Sequence, residues 1–514
     1  MKRALALAAT LACIAALRTS ARAEWRPPDL RPTKTPLAEV LAAYTKGTGA
    51  LDSRFAQRRE RWTYVNGPRR LPVRVAVLND DFRANVELNG AEYAGGRWNG
   101  VRWRADANGI AHGTLSDDQG DAVDRLPQSV FPFATSECEL AGESEKFAPA
   151  WVLADRAPHD RPHWLYVDKT SGLISHEVTR EGARTIVTSF EDFEPLGTLR
   201  RPRRWHVTDG NRTNDLDVRV DAIEPAQLAP RDVAIPPTQR TFRAPNARDG
   251  TVVLPVHFRG RTIFVDAGVD GRRAQFVLDT GTASITLDSG YAGRRGWSPV
   301  LEHATVPHMT VGALALDDVS TLAIPINIGY SIGGILGYDF FVGHVVHVDY
   351  ANERVEVMTT EAAAPVFRDG KATVIPADFD EGVPLVRAAF GSAVGDRFAL
   401  DTGSPHLYVL APFEQRYKTA IDALWTPASF GRQSTAEEVY LEGSIVVSAR
   451  RVASFTLGPQ RFDDVLVGIQ QPNAARDAID IALDGIVGTD QMRDFDWWFD
   501  YDGGRIAVRR NGLR

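Results

Sequence analysis

Apolar and polar residues alternate in twos over much of the chain. Leu71-Pro-Val-Arg-Val-Ala-Val77, Trp164-Leu-Tyr-Val-Asp168, Thr185-Ile-Val-Thr-Ser-Phe190 and Leu216-Asp-Val-Arg-Val-Asp-Ala-Ile223 each put one face toward a core. Period two predicts half-buried β-strands. Turn signals divide them at Asn108-Gly109, Lys169-Thr-Ser-Gly172 and Asp209-Gly210. Pro36-Leu-Ala-Glu-Val-Leu-Ala-Ala-Tyr44 departs from the pattern and predicts a helix, ended by Gly47 and Gly49. Residues 24–240 therefore read as a meandering antiparallel sheet preceded by one helix.

Two stretches fall outside this pattern. Lys2 and Arg3, the apolar run Ala4–Leu17 and the small residues around Ala21-Arg22-Ala23 predict a signal peptide over residues 1–23. Thr10-Leu11-Ala12 before Cys13 is a poor lipobox, so plain secretion into a periplasm or medium is expected. No later run reaches the roughly 18 apolar residues of a membrane span. The second stretch, Ile223 to Pro245, is rich in proline. Proline removes backbone donors and fixes φ, which predicts an extended linker, with the boundary at 241–250. On that basis residues 246–514 are expected to fold alone.

Beyond the linker the pattern repeats. Arg273-Ala-Gln-Phe-Val-Leu-Asp-Thr-Gly-Thr-Ala-Ser-Ile-Thr-Leu287 is matched by Gly395-Asp-Arg-Phe-Ala-Leu-Asp-Thr-Gly-Ser-Pro-His-Leu-Tyr-Val409. Each is an apolar strand entering Asp-Thr-Gly-[Thr/Ser], then a second strand. Gly334-Ile-Leu-Gly-Tyr-Asp-Phe-Phe341 is matched by Gly485-Ile-Val-Gly-Thr-Asp490, and each leads to a further strand. The same order of blocks predicts two versions of one β lobe, 251–362 and 363–514.

Composition narrows the chemistry. The 514 residues carry a net charge of −7, which argues against a nucleic-acid binder. Residues 24–250 hold 32 basic and 33 acidic side chains, while residues 251–514 hold 23 and 33, a net of −10. The two cysteines, Cys13 and Cys138, allow neither a disulfide framework nor a thiolate cluster. Gly-x-Ser-x-Gly, His-Glu-x-x-His and Walker-type signatures are all missing from the sequence. His344 and His347 would lie on opposite faces of a strand, and Asp494–Gly503 reads as strand plus turn rather than a calcium loop. Arg58-Arg59-Glu60-Arg61 and Arg200-Arg201-Pro-Arg203-Arg204 read as solvated basic clusters.

A pair of aspartates on equivalent loops suits hydrolysis by an activated water. Two close carboxyls share one proton; the ionised member takes a proton from water and the protonated one polarises the carbonyl. Gly281 and Gly403 permit a close approach, Thr280 and Thr402 can brace the loops together, and Thr282 and Ser404 offer hydroxyls to the outer carboxylate oxygens. One Asp-Thr-Gly arises easily by chance. Two, each after Phe-x-Leu and each with its own downstream apolar-apolar-Gly, form a specific signal.

These residues resemble the aspartic proteases of the retropepsin and pepsin type, in the tandem, bacterial, retropepsin-like form, over about residues 251–510. The resemblance implies a two-lobed β-barrel fold with Asp279 and Asp401 as the catalytic dyad. Thr280, Gly281, Thr282, Thr402, Gly403 and Ser404 would support it, and Leu336-Gly337 and Val487-Gly488 would cross behind the loops. It implies an endopeptidase without cofactor or metal, acting on peptide or protein substrates, and a hairpin flap over the cleft. The first-lobe candidate is Glu302–Met309. The better candidate is Trp425–Glu442, in the longer second lobe. Because both lobes lie on one chain, a monomer should make one site.

Residues 24–240 resemble the periplasmic lipoprotein-carrier and lipoprotein-sorting domains, half-barrels closed by a helix. The residues are Ala42–Gly49, Gly100–Gly109, Trp151-Val-Leu153, Tyr166–Leu173 and Thr185–Phe190. That likeness implies a lipid or lipoprotein partner. An accessory β-domain that holds the protease or guides substrate is the plainer reading. The rival for the whole chain is a binding protein that holds peptide in the same cleft without cutting it.

Overall fold

The computed structural model describes residues 27–88, 91–113, 138–155, 163–181, 184–210, 212, 215–238, 241–242, 248–260, 262–296, 303–326, 328–380, 382–440, 443–471 and 483–511. The expected signal peptide and Cys13 lie outside them. The fold is mainly β, as the alternation predicts.

The N-terminal part is one antiparallel sheet of thirteen strands. Its middle is the pair Gln57–Asn66 and Leu216–Pro225, the first and last strands in sequence. From Gln57–Asn66 the chain steps outward to Ala111–Gly113 at one edge. It re-enters at the other edge with Cys138–Ser144 and steps back to Leu216–Pro225. Alternation sends Trp62, Val73, Val75, Val77, Phe82, Trp205 and Val218 to one buried face. The helix, Leu37–Thr48, covers that face with Val40 and Tyr44. Its last turn packs on the Lys169–Gly172 turn so closely that a Cβ on Gly47 would fall 2.3 Å from the Ser171 carbonyl oxygen. Trp62 and Trp205 meet edge to face with centroids 5.6 Å apart.

The same face contains charges that the sequence suggests should be solvated. Arg58, Glu60 and Arg201 are buried. Glu60 accepts from Arg58 Nε at 2.6 Å, from Arg201 at 2.7 and 2.8 Å, and from Trp62 Nε1 at 2.8 Å. Two of the basic residues assigned to exposed clusters therefore form an interior network.

The C-terminal part is two barrels joined by a third sheet. In the first barrel a ring of strands runs Thr262–Val269, Arg272–Leu278, Gly334–Leu336, Thr286–Asp288, Leu314–Ile324, His303–Val311, and closes on Thr262–Val269. The second barrel repeats the order with Val383–Phe390, Ala393–Leu400, Gly485–Val487, Leu407–Val409, Gln460–Gln470 and Gly443–Leu457. The joining sheet has six strands, three from each side. Its centre pairs Val345–Asp349 with Phe495–Asp500, His347 opposite Trp498. The inner faces of the two barrels and of the joining sheet share one core, including Phe276, Leu336, Phe398, Val487, Trp497 and Phe499.

Two junctions differ from the expectation of a free linker. Ala226 N donates to Gln57 O and Leu228 N to Gln57 Oε1, and Val233 is fully buried, so the first half of the proline-rich stretch is packed onto the N-terminal sheet. Phe242 is buried against Phe340 in the first lobe, ring centroids 5.5 Å apart. Ile110, at the tip of an N-terminal hairpin, is part of the same core as the two barrels. The two halves share apolar packing, and residues 246–514 alone would expose it.

Candidate active site

Each Asp-Thr-Gly loop leaves a buried strand at the point where that strand pairs with the apolar-apolar-Gly segment. Phe276–Leu278 runs parallel to Gly334–Leu336, and Phe398–Leu400 parallel to Gly485–Val487. The ladder continues into the loops. Asp279 N donates to Leu336 O, and Asp401 N to Val487 O, both at 3.0 Å. Behind the loops, Tyr338 N donates to Thr282 O and Thr489 N to Ser404 O, both at 2.9 Å. Only glycine fits at the crossings: a Cβ on Gly337 would lie 2.4 Å from Thr282 O, and one on Gly488 2.4 Å from His406 O.

The two loops face each other across the lobes. Thr280 N donates to Thr402 Oγ1 at 3.1 Å, and Thr402 N to Thr280 Oγ1 at 3.0 Å. Each hydroxyl in turn donates to the opposite strand, Thr280 Oγ1 to Leu400 O at 2.7 Å and Thr402 Oγ1 to Leu278 O at 2.8 Å. Both threonines are buried. The glycines sit against the opposing carboxyls. A Cβ on Gly281 would fall 2.6 Å from Asp401 Cγ, and one on Gly403 2.5 Å from Asp279 Oδ2.

The carboxyls are held differently. Asp279 has a donor on each oxygen, Gly281 N on Oδ1 at 2.8 Å and Thr282 Oγ1 on Oδ2 at 2.9 Å. Asp401 takes both of its amides on Oδ1, from Gly403 at 2.8 Å and Ser404 at 3.0 Å. The Ser404 hydroxyl differs from the expected role: Oγ is buried without a hydrogen-bond partner among the described residues, and the Ser404 backbone amide does the bonding instead. Burial holds the Asp401 carboxyl well above the usual carboxylate range, helped by the charge of Asp279 and a hydrogen bond with it; the Gly403 and Ser404 amides pull the other way.

Tyr350 and Tyr501 lie near enough to feel the pair's charge, at matching positions just past the two central strands of the joining sheet. Burial raises both phenols, with Asp401 adding at Tyr350, and Tyr338, Asp279 and Asp401 adding at Tyr501. Both remain neutral, so these aromatic neighbours bring the dyad's negative charge no counter-ion. Sequence reading missed these tyrosines, although Val348-Asp-Tyr350 and Phe499-Asp-Tyr501 repeat each other. It also missed Asp339 and Asp490, the acids that follow each apolar-apolar-Gly. Asp490 Oδ2 lies 2.7 Å from His406 Nδ1.

The flap candidates separate. His303–Val311 is a strand of the barrel ring with Val306 and Met309 fully buried, so the first-lobe candidate is part of the barrel wall; Glu302 lies outside the described residues. In the second lobe Thr435–Tyr440 lies off the barrel ring and pairs as a hairpin with Gly443–Ser448, the first part of the ring strand Gly443–Leu457. That hairpin contains the end of the second candidate, with Leu441 and Glu442 outside the described residues.

The other constellations have structural explanations. His347 stacks on Trp498 at 4.2 Å and lies 2.9 Å from Glu356, while burial pushes His344 down to about 4. Asp496 accepts from Arg509 and Asp500 from Arg505, which completes the strand and turn of Asp494–Gly503. Among the described residues no group of three or more His, Cys, Asp or Glu is arranged to hold a metal, and no helix is long and apolar enough to cross a membrane.

No protein-family model matches the chain, and no curated protein matches it. Solved structures similar to its parts include an aspartic proteinase from Irpex lacteus, 13% identical, covering 51% of this chain and 98% of that one at a TM-score of 0.33. Basic 7S globulin from soybean is 12% identical over 51% and 96%, also at 0.33. A LolA-superfamily protein from Nitrosomonas europaea is 12% identical over 39% and 98%, at 0.30.

Proposed function

We propose that the chain is a secreted or periplasmic aspartic endopeptidase whose single site is built from tandem lobes of one polypeptide. The observation that carries this reading is the mutual embedding of Asp279 and Asp401: each carboxyl rests against the other loop's glycine. A water between the carboxyls is the nucleophile. Asp279, with a donor on each oxygen, is suited to be the ionised base. Asp401, whose amide donors both fall on Oδ1, has Oδ2 left to carry the shared proton. The base takes a proton from water as its oxygen attacks the scissile carbonyl carbon, and the proton on the partner stabilises the developing oxyanion. Proton transfer to the leaving nitrogen then breaks the C–N bond and gives a carboxylic acid and an amine. The paired strands Thr435–Tyr440 and Gly443–Ser448 are the candidate cover for the bound peptide.

The test is digestion of an unfolded protein such as denatured casein between about pH 3 and pH 7, with the products sequenced by mass spectrometry. The wild-type protein should cut internal peptide bonds, and Asp279→Asn should not. Failure of the wild type to cut across that range would leave a peptide-binding protein.

A further inference from the structure

The second lobe holds Asp490 with its own His406, while the first lobe holds the equivalent Asp339 with a residue from another domain. That residue is Asn108, at the tip of the N-terminal hairpin Val101–Ala105 and Ala111–Gly113. Asp106 shapes the tip by accepting from the amides of Asn108 and Ile110, both at 2.9 Å. The Asn108 carboxamide then pairs with a first-lobe strand as a neighbouring backbone would. Its Nδ2 donates to Ser320 O at 2.9 Å, and its Oδ1 accepts from Ser320 N at 2.8 Å. The same Nδ2 reaches Asp339 Oδ2 at 3.2 Å. Asp339 Oδ2 also accepts from Ile285 N at 3.1 Å, which fixes the end of the loop that begins at Asp279. Ile110 enters the first-lobe core beside it.

We propose that the Asp106–Ile110 turn is an integral part of the first catalytic lobe, that Asn108 is a positioning residue for the Asp279 loop, and that the Asp106–Asp339 carboxyl pair makes this seating depend on acid. The catalytic half of the proposal rests on the dyad reading above; the seating does not. Asp339 is fully buried, and its Oδ1 has no donor among the described residues. Two adjacent carboxylates cannot supply one to each other, but a proton on the pair can. Burial raises both carboxyls, and the charge of Asp106 raises Asp339 further. Among the described residues, the groups facing the pair give no compensating charge. Tyr93 from the N-terminal sheet and Tyr338 from the first lobe are both raised by burial and stay neutral, and Asp502 adds a further acid near Tyr338. The seated pair therefore binds its proton more tightly than the separated acids do. Seating is favoured at low pH and weakens as pH rises from the ordinary carboxylate range through the pair's raised titration.

Amide hydrogen exchange on the full chain, corrected for its intrinsic pH dependence, reads the seating directly. Asn108→Ala should speed exchange at Ser320 and Ile285 by about tenfold and lower kcat by about as much, with KM within about twofold. Asn108→Asp should show the same loss in the ionised form at alkaline pH and recover in acid, where its protonated carboxyl can donate again. Asp106→Asn supplies an amide donor to Asp339, so protection of Ser320 should become independent of pH from about 4 to 8. Wild-type protection at Ser320 in Asn108→Ala, or an unchanged pH dependence in Asp106→Asn, would overturn the seating. If the wild type cuts nothing, the dyad reading fails and the exchange measurements still decide this one. If it cuts and Asn108→Ala has normal kcat at normal protein stability, the positioning role fails alone.

Discussion

Thr280 and Thr402 exchange hydrogen bonds across the lobes, each amide donating to the other's hydroxyl at 3.1 and 3.0 Å. Four buried bonds therefore depend on two side chains, because each hydroxyl also donates to the opposite strand. Thr402→Val keeps the shape and removes the hydroxyl. It leaves Thr280 N–H and Leu278 C=O buried and unpaired, which costs about 2–4 kcal/mol. Urea unfolding should show that loss as a lower midpoint with the slope unchanged, and Thr402→Ser should recover most of it. A midpoint equal to wild type in Thr402→Val would mean the brace carries no stability.

Gly403 acts on function more than on folding. Its φ is not in the left-handed region, so alanine meets no backbone strain there. The added Cβ meets the Asp279 carboxyl at 2.5 Å, and a side-chain end can give way where backbone cannot. Gly403→Ala should therefore melt within a few degrees of wild type while kcat falls by about a hundredfold, since a carboxylate displaced by about 1 Å loses its aim at the water. Thermal melting and steady-state kinetics on one preparation would check both halves.

The parts legible in the sequence were those whose partners repeat or lie close by. Asp279, Asp401, Leu336-Gly337 and Val487-Gly488 stand in two copies of one pattern, and the loops around them are built from residues within that pattern. The N-terminal strands followed from period two. Asn108 was legible only as the start of an Asn-Gly turn, because its partner Ser320 is 212 positions away and nothing local marks the pairing. Glu302–Met309 looked like a cover because it lies between the two halves of the first motif. Its alternation buries Val306 and Met309, and its strand pairs with Thr262–Val269 and Leu314–Ile324 in the barrel ring. The burial of Arg58 and Arg201 was hidden for a related reason. Each basic cluster lies within one strand, so Arg58 and Arg201 point inward to Glu60 while Arg59, Arg61, Arg200 and Arg204 face solvent.

That interior network gives the N-terminal sheet its own acid sensitivity. Burial pushes the Glu60 carboxyl up, but the charges and hydrogen bonds of Arg201 and Arg58 outweigh it and leave it below its usual range. A depressed carboxyl contributes stability that is present above its unfolded value and is lost as pH falls through the folded one. Glu60→Gln removes the charge and leaves two buried guanidiniums unpaired, a loss of about 3–5 kcal/mol at neutral pH. Chemical unfolding near pH 7 should show that loss, and the gap between mutant and wild type should narrow in strong acid. An equal gap at both pH values would place the effect in packing rather than charge.

The dyad responds to pH with the opposite sign. Asp401 is raised by burial and then by Asp279, so the folded protein holds this proton more tightly than the unfolded chain. The contribution to stability is fully present below the ordinary carboxylate range and is lost as pH rises through the raised value. Catalysis requires the same proton: both carboxyls protonated leaves no base, and both ionised leaves nothing to stabilise the oxyanion. The pair titrates as a unit, so the profile of kcat/KM should be a bell on the acid side of neutrality with limits that belong to the pair. The net charge of −10 over residues 251–514 adds a negative field that also holds the proton. Salt screens that field, so raising ionic strength should move the alkaline limb to lower pH and leave the acid limb less affected. Asp401→Asn should abolish the bell along with activity, while Glu60→Gln, measured where it stays folded, should leave the shape of the bell unchanged. A flat profile from about pH 4 to 9, or an optimum near pH 9, is incompatible with a shared-proton carboxyl pair and would return the cleft to a role in binding alone.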